Sequence, residues 1–181
     1  MGAPQTPLEI LRRGLPLTMD GMGRFFFEGD EVTHPRVVHF LRGCLDLSDH
    51  GEEIVCMATP EGEQWAYLTV RDLPLRVLSV ASVDKRPLLT IDDGRSLPLV
   101  PDTLREDAVG GLRCEFPARR SGRPLNARFT NRAQMALADW FVWSNPNHLD
   151  IEDLRPAIEI DGRRYEIPFV ASPKCSESDT R

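Results

Sequence analysis

The chain has 181 residues and 20.4 kDa, 41% of them hydrophobic and 28% charged. That composition supports one compact domain or two tightly joined halves and excludes wholesale disorder. The net charge of −6 and a pI near 5.3 disfavour a binder of duplex nucleic acid or anionic membrane. No apolar run approaches the roughly 18–20 residues of a membrane span, and 15 Pro with 13 Gly rule out a long-helix bundle. The first residues show neither a basic leader nor an apolar stretch, which predicts no secretory signal and a cytoplasmic protein.

Punctuation divides the chain into a lead-in (1–19), a first α+β half (20–100), a second α+β half (101–170) and a polar, disordered tail (171–181). Thr6, Pro7 and Glu9 spell the start of a short helix and Gly14 its stop. A hairpin signal, Asp20-Gly21-Met22-Gly23, precedes Phe25-Phe26-Phe27. The spacing of Val37, Val38, Leu41, Cys44 and Leu45 predicts a helix over Thr33–Leu45, capped by Thr33, with Val37, Leu41 and Leu45 buried. Short β-branched and apolar runs from Ile54 to Val100, separated by Pro, Asp and Gly turns, predict an antiparallel meander. Leu112–Phe116 and Leu125–Phe129 flank an Arg/Gly/Pro loop. Thr130 or Asn131 then opens a helix to Val142 that buries Leu137, Trp140 and Phe141. A last hairpin turns at Asp161-Gly162. The recurring Asp-Gly turns and one principal helix per half allow a duplicated unit.

Catalytic signatures are sparse. There is no Walker A loop, G-x-S-x-G elbow or dinucleotide fingerprint, so no cofactor is expected. His34 and His39 are five apart and diverge on a helix, and the four cysteines lack a C-x-x-C pair, so no metal is expected and the thiols are read as reduced. Ser48-Asp49-His50 holds triad residue types only as loop neighbours. Asp92-Asp93 and Glu52-Glu53 read as solvated turns, and Trp65 and Tyr67 as core aromatics.

Charge distribution says more. Asp20 to Glu63 holds ten acids against three arginines, a local −7. Arg113 to Arg132 holds six arginines against Glu115, a local +5. Arg119, Arg120 and Arg123 sit in a loop between Pro117 and Pro124, where they either face an acidic protein partner or are neutralised by the chain's own 20–63 region. Phe26, opposite in direction to Phe25 and Phe27 on a strand, is a second candidate partner contact.

The order of these pieces resembles the bacterial domain-of-unknown-function family 1285. The likeness lies in Asp20 to Leu45, with Phe25-Phe26-Phe27-Glu28-Gly29-Asp30-Glu31-Val32, in Val70-Arg71-Asp72-Leu73-Pro74 after Trp65, and in the second helix and last hairpin. The Arg119 to Pro124 stretch stands outside the pattern. The resemblance implies two β-rich halves of related motifs, no assigned reaction, and a suggested role in signalling or protein interaction.

The sequence therefore predicts an α+β protein of antiparallel hairpins with two main helices, acting as a non-enzymatic binding or regulatory module. The rival is a small-molecule-binding or hydrolytic enzyme whose site converges from Arg24, Arg128, Arg132, Asp139 and His148. A polar pocket would favour the enzyme; a flat or charged face would favour the module.

Overall fold

The computed structural model describes residues 12–108, 110–143 and 156–170. The first expected helix, the tail, Trp143's side chain and His148 lie outside what is described; Arg12 and Arg13 are helical. Besides those two residues, the described residues form four sheets and two α-helices, the predicted α+β class.

The first sheet packs β1 (Leu17–Met19), β2 (Phe25–Phe27) and β3 (Asp30–Glu31) around the predicted hairpin. Asp20 holds that turn by accepting the Met22 and Arg24 amides through Oδ1 at 2.9 Å. Helix α1 (Pro35–Gly43) follows, started by Pro35 rather than by Thr33. Its N-cap is His34, with no side-chain cap, and Pro35 at the first position presets φ and has no N–H to leave unpaired. Leu45 is buried and Val38 and Leu41 lean on the core, but Val37 is 43% exposed.

A three-stranded antiparallel sheet comes next: β4 (Leu45–Leu47), β5 (Glu53–Thr59) and β6 (Gly62–Tyr67). The predicted meander breaks here. β7 (Thr69–Val70) crosses to pair parallel with β1, and β8 (Leu75–Val83), β9 (Arg86–Ile91) and β10 (Ser96–Pro98) begin a different sheet. A seven-stranded sheet then forms, ordered β10-β9-β8-β13-β12-β11-β17, with β11 (Arg105–Asp107), β12 (Leu112–Pro117), β13 (Pro124–Phe129) and β17 (Phe169–Val170). The β8–β13 pair at its centre is parallel and joins strands from residues 20–100 to strands from residues 101–170. Local patterning finds strands, but a parallel pairing 52 residues apart in sequence (Leu75 with Ala127) leaves no turn signal to read.

Helix α2 (Asn131–Leu137) is capped as expected, the Thr130 hydroxyl accepting the Ala133 amide. It ends early. A 3-10 turn (Ala138–Trp140) leads into β14 (Phe141–Trp143), which pairs with β15 (Pro156–Ile160) and through it with β16 (Arg163–Glu166). Phe141-Val142-Trp143 is an aromatic and β-branched run, better suited to a pleated strand than to a last helical turn. Leu137 is fully buried; Trp140 and Phe141 pack on the core half-buried. Phe25, Met19, Leu75, Leu89, Leu104, Leu125 and Ile158 make the centre of the core. At the last hairpin Asp161 and Gly162 both take positive φ, 53° and 72°, the type I′ geometry that suits strand twist.

Candidate functional site

Arginine reaches the interior first. Asp92 is nearly buried and grips the Arg42 guanidinium, while its Oδ1 accepts the Arg76 amide at 3.1 Å. Arg76 donates to the Gly21 carbonyl at 2.7 Å and to the Leu73 carbonyl at 2.6 Å, and Arg42 to the Gly23 carbonyl at 2.6 Å. Arg128 is forked onto Asp72 at 2.7 and 2.8 Å and also pairs with buried Asp107. These bonds staple the Asp20–Gly23 turn to the large sheet. Gly23 sits at φ 79°, and a Cβ there would meet Arg42 Nη2 at 3.4 Å, so the turn needs glycine. Asp92 and Asp93 are thus not solvated turns: Asp93 is 1% exposed and takes Arg95 at 2.7 Å. The Asp-Gly pattern signals a turn but is silent on what packs over it.

The basic loop lies elsewhere, folded across one face of the β4–β6 sheet. Buried Asp46 anchors it, accepting the Ser121 amide at 3.1 Å and the Ser121 hydroxyl. Arg123 donates to the Leu47 carbonyl at 2.9 Å and to Asp49 at 2.6 Å; Arg120 pairs with Glu63. Arg119 donates to the Asp93 carbonyl at 2.7 Å. Of the six arginines of the +5 segment, Arg119 and Arg128 pair with Asp93, Asp72 and Asp107 outside the −7 segment, while Arg120 and Arg123 dock onto it. Their outer carboxylates remain open to water, Asp49 at 89% and Glu63 at 62% exposure.

Between loop and sheet lies a cleft of about 400 Å³. Its floor comes from alternation. On β5 and β6 the side chains of Ile54, Cys56, Trp65 and Tyr67 share one face by register. Trp65 and Tyr67 meet edge to face, centroids 5.1 Å apart, and both are half-buried cleft walls rather than core. The Arg12 guanidinium lies 4.0 Å above the Trp65 ring, and Arg13 lies 3.8 Å above Tyr67 while forking onto Glu52 at 2.8 and 2.7 Å. No carboxylate among the described residues pairs with Arg12. Arg12, Arg120 and Arg123 all line the cleft, with His50 at its rim. Ser48 is buried, and its hydroxyl accepts the His50 and Glu52 amides at 3.3 and 3.1 Å, so Ser48-Asp49-His50 is a loop held by a Ser turn.

Electrostatics follow the geometry. Arg123 holds the Asp49 carboxyl below the ordinary carboxylate range, and Arg13 does the same for Glu52. Burial pushes the Cys44, Cys56 and Cys114 thiols up. Among the described residues no group of three or more His, Cys, Asp or Glu could hold a metal.

Phe26 is half-buried beneath the Arg24 guanidinium, 5.6 Å from its ring centroid, and stands apart from the cleft. Of the dispersed set, Arg24 is occupied by Asp20 and Glu31, and Arg128 by Asp72 and Asp107. Sequence reasoning missed Arg12 and Asp46, set His50 aside as a loop neighbour of Ser48 and Asp49, and preferred core packing for Trp65 and Tyr67. The Glu63, Trp65, Tyr67 alternation was the available signal, since period two places all three on one face.

Two solved structures share this architecture. A DUF1285 family protein from Silicibacter pomeroyi DSS-3 superposes with a TM-score of 0.55 at 14% identity, over 84% of this chain and 79% of that one. A second DUF1285 family protein, from Shewanella baltica OS155, gives 0.53 at 12% identity, over 70% of this chain and 92% of that one. The fold is that of DUF1285 family proteins. The resemblance read from the aromatic and Asp-Leu-Pro motifs thus stands at the level of fold. No protein-family model and no curated protein matches the chain. Among the described residues no helix is long and apolar enough to cross a membrane.

Proposed function

We propose that this protein is a binding module that captures an acidic segment of a protein partner in the cleft between the basic loop and the β4–β6 sheet. The observation that carries the reading is the convergence of Arg12, Arg120 and Arg123 on one cleft walled by Trp65 and Tyr67. Arg12 already stacks on Trp65 without a carboxylate among the described residues. The Arg120–Glu63 and Arg123–Asp49 pairs use carboxylates that are mostly in water. Exposed pairs of this kind contribute little, because water and salt screen them. A partner carboxylate can exchange with Glu63 or Asp49 at little cost, so the internal acids act as weak place-holders. Binding without catalysis is favoured by the fixed roles of the polar groups, with the Ser48 hydroxyl committed to two backbone amides.

Calorimetric titration with a capped hexaglutamate peptide tests this, with hexalysine as control. Hexaglutamate is expected to bind at low salt, to fade towards 1 M salt, where the screening length is about 3 Å, and to lose about tenfold or more in the R119S/R120S/R123S variant. Equal binding by that variant, or preference for hexalysine, would reject the reading.

A further inference from the structure

The cleft lies on only one face of β6, and β6 is also an edge. Among the described residues the strand pairs with β5 alone. The Cys56 amide donates to the Cys44 carbonyl on the β4 side, and the Leu68 amide donates to the Glu53 carbonyl. In the antiparallel alternation this makes Cys56–Trp65 and Ala58–Glu63 non-hydrogen-bonded pairs. The backbone N–H and C=O of Glu63 and Trp65 therefore point away from β5, and no bond to them is present among the described residues. These two residues put their side chains on the cleft face, while Gln64 and Ala66 put theirs on the other.

That other face is apolar and open. Gln64 and Ala66 help to line a groove of about 390 Å³ with Met57, Phe27, Val37 and Leu15. Leu15, Phe27 and Val37 are each more than 40% exposed. A single edge strand thus separates a cleft lined by arginines from an apolar groove. The sheet edge supplies backbone groups with no bond among the described residues, one face supplies positive charge, and the other supplies apolar area.

We propose that an extended peptide from the partner adds to β6 as an antiparallel fourth strand of the β4–β6 sheet, with alternating acidic and apolar residues. The acidic side chains enter the arginine cleft and the apolar ones extend into the groove. Strand addition draws affinity from the main chain and specificity from pockets for alternate side chains. The charge complement is Arg12 above Trp65 and Arg120 beside Glu63. The period-two pattern follows from the opposite chemistry of the two faces. This inference rests on the acidic-partner reading above and adds the backbone geometry and the sequence pattern.

The probe is the capped peptide Ac-Glu-Val-Glu-Val-Glu-Val-NH2 against the full chain. In the antiparallel register the glutamates lie opposite Glu63 and Trp65, so their amides face β6 and the valine amides face away. N-methylation of the glutamates is expected to lower affinity tenfold or more, and N-methylation of the valines to leave it within about twofold of the parent peptide. Serine in place of valine is expected to weaken binding through loss of groove contact. Equal binding of the two methylated peptides, with hexaglutamate still bound, overturns strand addition and leaves the charge reading intact. Loss confined to the valine-methylated peptide overturns the antiparallel register. No binding of any acidic peptide overturns both readings. Sedimentation of the free chain as a dimer that excludes the peptide assigns the edge to a second copy and overturns the proposal.

Discussion

Two arginine clusters divide the molecule, and burial gives them different work. Around Asp92 and Asp107, the Arg42, Arg76 and Arg128 side chains are only 14%, 8% and 27% exposed and spend their donors on backbone carbonyls and buried carboxylates. On the loop, Arg119, Arg120 and Arg123 are 41%, 34% and 41% exposed, and two of their three carboxylate partners stand in water. Desolvation makes the first set unforgiving, because removal of one partner strands a charge where water cannot reach it. Water makes the second set exchangeable. Residue type alone does not distinguish a staple from a docking patch.

The comparison breaks first at the interior. Arg42→Met should strand Asp92 and unfix the Gly23 turn, at a cost of about 3–5 kcal/mol, read as a lower midpoint in urea unfolding. A shift below about 1 kcal/mol would move Arg42 to the exchangeable class. Leu137→Ala, removing a fully buried side chain of α2, should cost about 2–5 kcal/mol by the same measurement and calibrates the core against the staple.

Asp46 lies between the two classes, since it is buried yet serves the loop. Asp46→Ala should cost about 1–3 kcal/mol and also weaken acidic-peptide binding, because Ser121 loses its anchor and Arg120 and Arg123 lose their placement. Peptide affinity unchanged in this variant would separate the loop's position from its binding.

The smallest effect is a titration. Asp49 and Glu52 have folded pKa values lowered by their arginines. Their contributions are present above the unfolded carboxylate range near pH 4 and are lost as pH falls through the lowered folded values. Carboxyl NMR should place both midpoints below those of free side chains, and Arg123→Ser should return Asp49 upward while leaving Glu52 in place. An Asp49 midpoint that ignores Arg123→Ser would dissolve the pair.

The sequence carried the fold class through local signals. Thr130 as a cap, the Asp161-Gly162 turn and the helical spacing of Val38 and Leu41 depend only on neighbours and appear in place, whereas Leu45, buried as expected, belongs to β4 because the helix stops at Gly43. Helix α2 overran because Phe141-Val142-Trp143 fits helical spacing as well as strand composition, and pairing with β15 decided between them. Val37 shares the apolar spacing of α1 but lies on the groove side. The cleft was half legible. The opposed charges of residues 20–63 and 113–132 foretold that the two segments could pair, whereas the place of Arg12 above Trp65 depends on a contact across 53 positions of sequence that no local pattern encodes.

The most direct test measures both properties on one variant. R119S/R120S/R123S leaves Asp93 its Arg95 partner and changes only the exposed cluster. Urea unfolding and acidic-peptide titration of this variant should give a midpoint close to that of the parent chain and binding lowered at least tenfold. A collapsed midpoint with binding intact would make the loop a staple like the interior cluster and contradict the division of labour between them.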